Sequence, residues 1–216
     1  MKKKVFIITL AVCLAVLSIA GSSIAYFTDT EEYTNTFTAG NVSIKLTTNG
    51  ETNNVEHFKV EGEYVYPGLT LDKDVTISNT GDEAAYVAAV ITLTDNDGNL
   101  LSVINADGSN NDIPVAIAKF LTDLGEDGYK MNVVAQNGQL VIYLVREVAL
   151  AARTGSSVVF SDIVIPASWD NDEIDAFEDV KIEVKAYATQ VVGMTNGAVQ
   201  AIQTVFPEVF GGINFN

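Results

Sequence analysis

The chain is poor in side chains that bind transition metals or form cross-links, with one cysteine, Cys13, and one histidine, His57. Cys13 lies in an apolar run that we expect to be removed, so the mature chain would have no disulfide and no thiolate ligand or nucleophile. A helical His-Glu-x-x-His zinc motif needs two histidines and is excluded, and Gly-x-Ser-x-Gly and glycine-rich phosphate loops are missing. We therefore predict a non-enzyme with no catalytic residue, no metal ligand and no cofactor, in which His57 is an ordinary surface or edge-strand residue.

Basic residues are also scarce, at 12 Lys and Arg against 28 Asp and Glu, which gives a net charge of −16. Losing the three lysines at positions 2–4 would take this to −19. Such a surface repels phosphate backbones, so nucleic acid is disfavoured as a partner. Because 48% of the residues are hydrophobic, the chain is expected to fold rather than remain disordered.

The N-terminus has the pattern of an export signal. Three lysines precede an apolar run, Val5–Ala20, and Ser23-Ile24-Ala25 forms a small-x-small cleavage site. We predict a signal peptide over residues 1–25, cleaved between Ala25 and Tyr26; an uncleaved anchor is the alternative. Residues 26–40 then form an N-terminal segment and residues 41–216 the folded domain.

Alternating and continuous apolar patterns predict strands in most of this domain. Val42, Ile44 and Leu46 alternate with polar residues, as in a half-buried strand, whereas Tyr86–Leu93 is a continuous run typical of a central strand covered on both faces. Asn137-Gly138 indicates a two-residue hairpin, and Pro67-Gly68 indicates a turn. The remaining predicted strands include Val75 and Ile77, Asn132–Ala135, Leu140–Val145, Val158–Ile165 and Val180–Val192.

Three segments favour helices instead. Ile113–Leu124 carries an apolar face of Ile117, Phe120, Leu121 and Leu124, Glu147–Arg153 is a short candidate, and a third begins at a Thr195 cap and ends at Pro207. Together the elements predict a mainly β fold, a jelly-roll-like β-sandwich with a few short helices.

Calcium is the one cation for which the sequence offers candidate ligands. Asp95-x-Asp97-x-Asn99 matches the first half of an EF-hand loop, but Leu100 stands where glycine is needed and Ala106 where glutamate is needed. A second acidic stretch contains Asp170, Asp172, Glu173 and Asp175. Solvated loops are the favoured interpretation of both, which leaves calcium a weak expectation.

Several segments resemble the TasA/camelysin family, whose members are exported through the dedicated signal peptidase SipW. Near the N-terminus these are Ala25-Tyr26-Phe27-Thr28-Asp29 and the segment Asn35–Val42, Asn-Thr-Phe-Thr-Ala-Gly-Asn-Val. The others are Pro67–Asp74, Val75–Gly81 with the sequence Val-Thr-Ile-Ser-Asn-Thr-Gly, Ala85-Tyr86-Val87 and Lys185–Gln190.

The resemblance implies a secreted jelly-roll protein of the cell surface or biofilm matrix, in which each fibre subunit donates its freed N-terminal strand to the next. Tyr26 and Phe27 are the expected anchors of this candidate donor strand, and Phe37 is the apolar contact at its hinge. The expected partners are other copies of the chain and the signal peptidase, with membrane contact only through the uncleaved signal. Alternatives are a camelysin-like surface metallopeptidase, a monomeric adhesin or binding module, and an N-terminal strand that pairs within its own domain.

Overall fold

A computed structural model describes residues 28–31, 42–48, 66–94, 117, 119–136, 139–172, 174 and 181–215. The fold is mainly β, as predicted. Its strands are β1 (Thr28–Glu31), β2 (Ile44–Thr48), β3 (Thr70–Asn79), β4 (Ala85–Thr94), β5 (Tyr129–Gln136), β6 (Gln139–Arg146), β7 (Ser156–Val164) and β8 (Lys181–Gln190). Two helices follow them, α1 (Gly197–Val205) and α2 (Pro207–Phe210).

The strands form two antiparallel sheets. One is five-stranded with the order β1-β8-β4-β6-β5, and the other is three-stranded with the order β2-β3-β7. Strands β5 and β6 are a hairpin whose last paired residues, Gln136 and Gln139, are separated by two positions, as the Asn137-Gly138 pattern predicted. Most other neighbours are distant in sequence, and local patterns could not predict them.

The two sheets pack face to face around one apolar core. Alternate residues of β4 and β8 point into it, including Val87, Ile91 and Ala186, while Ile77 and Phe160 enter from the opposite sheet. All five are fully buried. This arrangement is a β-sandwich, in which each strand contributes every second side chain to the shared interior.

The outer face of the five-stranded sheet is also covered, by the two C-terminal helices. Ala88 and Val90 of β4 and Tyr187 of β8 form a second buried cluster with Phe206 and Phe210. The Phe210 ring makes edge-to-face contacts with Tyr143 and Tyr187, at centroid distances of 5.9 and 5.2 Å. Apolar residues on both faces of β4 are therefore buried, which confirms the prediction of a central, doubly covered strand.

One predicted helix is wrong, and another ends earlier than predicted. In the segment Ile113–Leu124, the described residues Ile117, Lys119 and Phe120 are helical, and the Leu121 N–H donates to Ile117 O. Leu121 then forms an isolated bridge with Ile163 of β7. Asp123 and Gly125 have φ of 57° and 71°, which no α-helix accommodates. Ile117, Phe120, Leu121 and Leu124 are nevertheless all buried, as their spacing indicated.

The Glu147–Arg153 segment is a bend rather than a helix. Leu150 forms an isolated bridge with Ala85, and Arg153 adopts a φ of 62°.

The third helix is confirmed as α1, but Thr195 does not cap it. Asn196 occupies the cap position and makes no side-chain cap hydrogen bond.

The Pro67-Gly68 turn is confirmed. The Leu69 N–H donates to Tyr66 O at 3.1 Å, and Gly68 has a φ of 83°, as the third residue of a type II turn requires.

Among the described residues, no helix is long and apolar enough to cross a membrane.

Candidate functional site

The edge of the five-stranded sheet formed by β1 and β8 is the candidate functional site, because the predicted donor segment meets the folded domain there. Strand β1 lies inside that N-terminal segment and runs antiparallel to β8. Four residue pairs join the two strands, from Thr28 opposite Thr189 to Glu31 opposite Ala186. In this structure β1 therefore pairs within its own chain.

Segments that carry the family resemblance come together at this edge. Ala85-Tyr86-Val87 opens β4 and pairs with Ala188–Gln190 of β8, and Thr28-Asp29 of β1 pairs with Ala188–Thr189 from the other side. The end of β8 is thus enclosed between the first and fourth strands. If β1 left, β8 would become an edge strand with a free row of backbone N–H and C=O groups.

The paired part of β8 is buried on both faces. Ala186 and Ala188 are fully buried in the shared core, and Tyr187 lies on the opposite face beneath Phe206, at a centroid distance of 5.2 Å. Thr189 is also fully buried, and its Oγ1 has no hydrogen-bond partner within the described part of the chain. Because strands pair through backbone groups, a segment from another chain could form the same backbone hydrogen bonds with β8.

A second feature, the polar side chain of Asn79, organises the loops at the end where β3 stops and β4 begins. Asn79 is fully buried. Its Nδ2 donates to Glu83 O at 2.8 Å and to Leu150 O at 3.2 Å, and its Oδ1 accepts the Gly81 N–H at 3.0 Å. The last of these bonds is an Asx turn, which explains why asparagine precedes Thr80-Gly81 in the sequence.

Neighbouring contacts tie the same loops to the start of β2. The backbone N–H groups of Thr80 and Gly81 both donate to Ser43 O, at 2.8 and 3.0 Å. Arg153 is held by its N–H donating to Gly81 O and by an exposed guanidinium pair with Asp82. These contacts around Asn79 thereby fix the position of Ala85, the first residue of β4.

Most residues predicted to act in a site lie outside the described residues. These are Ala25 and Tyr26 of the cleavage site, Phe27 and Phe37 of the donor segment, His57, and the Asp95-Asp97-Asn99 loop. Of the second acidic stretch, Asp170 accepts the Asp172 N–H through Oδ1 at 2.9 Å, and Asp170 O accepts the Ile174 N–H. Asn171, Asp172 and Ile174 are helical, so the predicted loop is wrong at these residues and Asp170 caps the start of the helical turn. Glu173 and Asp175 lie outside the described residues.

The described residues contain no group of three or more His, Cys, Asp and Glu side chains placed to hold a metal ion. The whole sequence supplies one histidine and one cysteine, and the catalytic zinc sites of proteins are built mainly from several such ligands. The donor set that the chain offers therefore does not fit a catalytic zinc ion.

Two parts of this site were not predicted from the sequence. One is the role of Asn79, although an Asx residue two positions before glycine is a signal for a side-chain-capped turn. The other is Thr28–Glu31, the paired part of the N-terminal segment. None of these four residues is apolar, so the segment lacks the alternation of apolar and polar residues that predicts a strand.

Comparison with known proteins gives one match. The sequence model of the camelysin metallo-endopeptidase family matches residues 1–143, while no curated protein and no solved structure is significantly similar to the chain. The matched part begins at the N-terminus and includes β1 to β5 and most of β6. The chain belongs to the camelysin family, which is the same family as TasA.

Proposed function

We propose that this protein is a secreted structural subunit of the cell surface or biofilm matrix, and that it assembles into fibres by strand exchange at the β1–β8 edge. The proposal rests mainly on one observation: β1, part of the N-terminal segment, pairs with the edge of the sheet at β8 through only four residue pairs. A neighbour's segment can form the same backbone hydrogen bonds with β8, so exchange costs little once the end is free.

Processing would control when exchange begins. Cleavage after Ala25 would free the end that carries Tyr26 and Phe27, directly before β1. Until then the signal peptide would hold this end at the membrane. Because the donor and acceptor surfaces differ, the contact is head-to-tail and does not close, which produces a filament. The proposal requires no cofactor, and its partners are other copies of the chain and the signal peptidase.

Cysteine pairs at the register of β1 and β8 test the exchange directly, because the mature chain starting at Tyr26 contains no cysteine. We would prepare two mature variants, Thr28→Cys and Thr189→Cys, mix them, allow assembly under reducing conditions and then oxidise. The two positions are directly opposite, within reach of a disulfide. Exchange predicts covalent dimers between the two variants on a non-reducing gel.

The double variant Thr28→Cys/Thr189→Cys gives the converse result. When this variant is oxidised before assembly, it should form an internal disulfide and remain monomeric. Reduction of the disulfide should then allow it to assemble. As a matched control, Thr28→Cys mixed with Lys130→Cys should give no dimers, since Lys130 is on β5, four strand spacings or about 19 Å away across the sheet. Fibres that form from the oxidised double variant, or mixed variants that never cross-link, would refute the exchange.

A metallopeptidase is the second candidate, and the name of the family favours it. The donor set argues against it, because zinc would have to be held by carboxylates and His57 alone. Purified mature protein should therefore cleave casein no faster than a buffer control, with or without added zinc. Activity that a chelator and His57→Ala both abolish would establish the peptidase instead.

A further inference from the structure

The acceptor strand β8 is longer than the strand β1 that pairs with it. Strand β4 pairs with every residue of β8, from Lys181 to Gln190, whereas β1 pairs only with Ala186–Thr189. Among the described strands, none but β1 lies beside β8 on the side away from β4. Beyond β1, the residues Lys181–Val184 therefore present a sheet edge that a longer strand can use.

The directions of the strands limit how far a chain can pair with its own β8. Asn79 at the end of β3 and Ala85 at the start of β4 both donate to Leu150 O, so these two strands meet at one end of the sandwich. Ile44 pairs with Asn79 and Gln190 pairs with Ala85, which puts the start of β2 at the Gln190 end of β8. Strands β1 and β2 both run away from this end, so the chain that leaves β1 must travel back before it can begin β2.

The length of this return connection sets the limit. If the β1 register continued along the whole of β8, Thr36 would be opposite Lys181, nine strand steps or about 31 Å from the Gln190 end. Only eight peptide steps lead from Thr36 to Ile44, and a fully extended chain covers at most about 29 Å in eight steps. The connection must also cross from one sheet to the other, about 10 Å away. A chain therefore cannot pair with the whole of its own β8 and still form β2.

A second copy of the chain is free of this limit, because its own β2 belongs to another subunit. We infer that the N-terminal segment of a neighbouring subunit pairs with β8 through Thr28–Thr36, in nine residue pairs from Thr189 to Lys181. The first four pairs repeat those of β1, and the next five place Glu32–Thr36 opposite Lys185–Lys181 in the same register. This inference rests on the proposed strand exchange and gives it a length and a register.

The five added pairs explain why exchange would be favoured over self-pairing. An exchange that only replaced four pairs by the same four would gain nothing, and a chain's own segment is tethered at an effective concentration of about millimolar. Each added pair contributes backbone hydrogen bonds and cross-strand contacts that self-pairing cannot supply in full. Charge agrees with this register, because Glu32 would be opposite Lys185, and opposite charges at directly opposed positions are stabilising.

Disulfides at the two ends of the nine-pair strand test the inference. Mature Thr36→Cys and Lys181→Cys proteins would be mixed, assembled under reducing conditions and then oxidised, beside the Thr28→Cys and Thr189→Cys mixture as the matched comparison. The two sites are an even number of residues apart on each strand, so both pairs belong to the same hydrogen-bonding class. We expect covalent dimers from both mixtures. The double variant Thr36→Cys/Lys181→Cys, oxidised as a monomer, should form no internal disulfide because its two sulfur atoms cannot meet.

The possible outcomes separate this inference from the exchange itself. An internal disulfide in the Thr36→Cys/Lys181→Cys monomer would overturn the inference, since a chain would then reach the far end of its own β8. Dimers from the Thr28→Cys mixture without dimers from the Thr36→Cys mixture would also overturn it, and would leave the proposed exchange standing. Dimers from neither mixture would refute the exchange and the longer pairing with it.

Proline substitutions measure the added pairs in solution. Proline lacks the N–H that a strand donates, so Tyr33→Pro/Thr34→Pro should interrupt pairing beyond Glu31. The protein concentration at which fibres form should rise roughly tenfold or more, while the urea midpoint of the monomer stays close to that of the parent. Thr38→Pro/Ala39→Pro lies beyond the nine pairs and is the matched control, which should change the fibre-forming concentration less than about twofold. Fibres that form from Tyr33→Pro/Thr34→Pro at the parent's concentration, or a monomer destabilised as much as the fibre, would contradict the longer pairing.

Discussion

Replacing Asn79 by alanine should destabilise the domain strongly, although the residue is neither apolar nor catalytic. The side chain makes three hydrogen bonds in a fully buried position, to Glu83 O, Leu150 O and the Gly81 N–H. A typical hydrogen bond contributes about 1 kcal/mol net. Three would sum to about 3 kcal/mol, a large part of the stability of an ordinary domain.

The groups left behind refine this estimate. In the alanine variant, Leu150 O still accepts the Ala85 N–H and the Gly81 N–H still donates to Ser43 O. Of the three groups, Glu83 O alone would then have no hydrogen-bond partner in the described part of the chain. We therefore expect a loss of about 2–4 kcal/mol rather than the full cost of three buried unsatisfied groups. With an m-value of about 2 kcal/mol/M, the urea midpoint should fall by about 1–2 M.

The assay is urea unfolding of the mature protein followed by circular dichroism, with Thr80→Ala as the control. The Thr80 hydroxyl is exposed and bonds to Ser43, so its loss should cost less than about 1 kcal/mol. Asn79→Asp tests the direction of the bonds, because a carboxylate accepts the Gly81 N–H but cannot donate to Glu83 O or Leu150 O. An Asn79→Ala protein within about 0.5 kcal/mol of the parent would refute this account.

Three further predictions concern the core, a turn and alkaline pH. Phe210→Ala should cost about 3–5 kcal/mol in urea unfolding, since the ring is fully buried against Tyr143 and Tyr187, and the half-buried neighbour Val209→Ala should cost clearly less. Gly68→Ala should lower the free energy of unfolding by about 1–2 kcal/mol, because alanine is unfavourable at a φ of 83°. Steric contact should add nothing, since the added Cβ meets nothing closer than Ala167 at 3.7 Å. Asparagine tolerates this φ better, so a Gly68→Asn protein that loses as much stability as Gly68→Ala would contradict this explanation. Burial raises the pKa of Tyr129 to about 12 in the folded state, so stability from this group is present below pH 10 and is lost as the pH rises from about 10 to 12. Tyr129→Phe should flatten that decline, and one tyrosine fewer should ionise late in an ultraviolet titration.

Local patterns predicted the strands well where one period persisted along the chain. The predicted strand Val180–Val192 contains β8, in which Ile182, Val184, Ala186 and Ala188 alternate and are buried in the core. The unbroken apolar run of β4 correctly indicated burial on both faces. Both signals depend only on the direction in which successive side chains point. The neighbours of each strand depend on contacts between distant segments, which periodicity does not encode.

The helix predicted over Ile113–Leu124 shows the same limit. An apolar face at Ile117, Phe120, Leu121 and Leu124 fits a helix, but after Phe120 the backbone of Thr122 pairs with Ser161 and Asp162 of β7 instead of continuing the helical bonds. Within the candidate site, the sequence identified the N-terminal segment but not its partner, because the pairing of β1 with β8 joins the two ends of the domain. The predicted anchors Tyr26, Phe27 and Phe37 lie outside the described residues, and the proposal for them stays a prediction.

The pairing of β1 with β8 also determines the order in which the chain can fold. Thr28 leaves the ribosome early, but its partner Thr189 follows about 160 residues later. Closing so large a loop is entropically costly, and folds dominated by distant strand pairs form slowly. The five-stranded sheet therefore cannot close at β1 until β8, near the C-terminal end of the chain, has been synthesised.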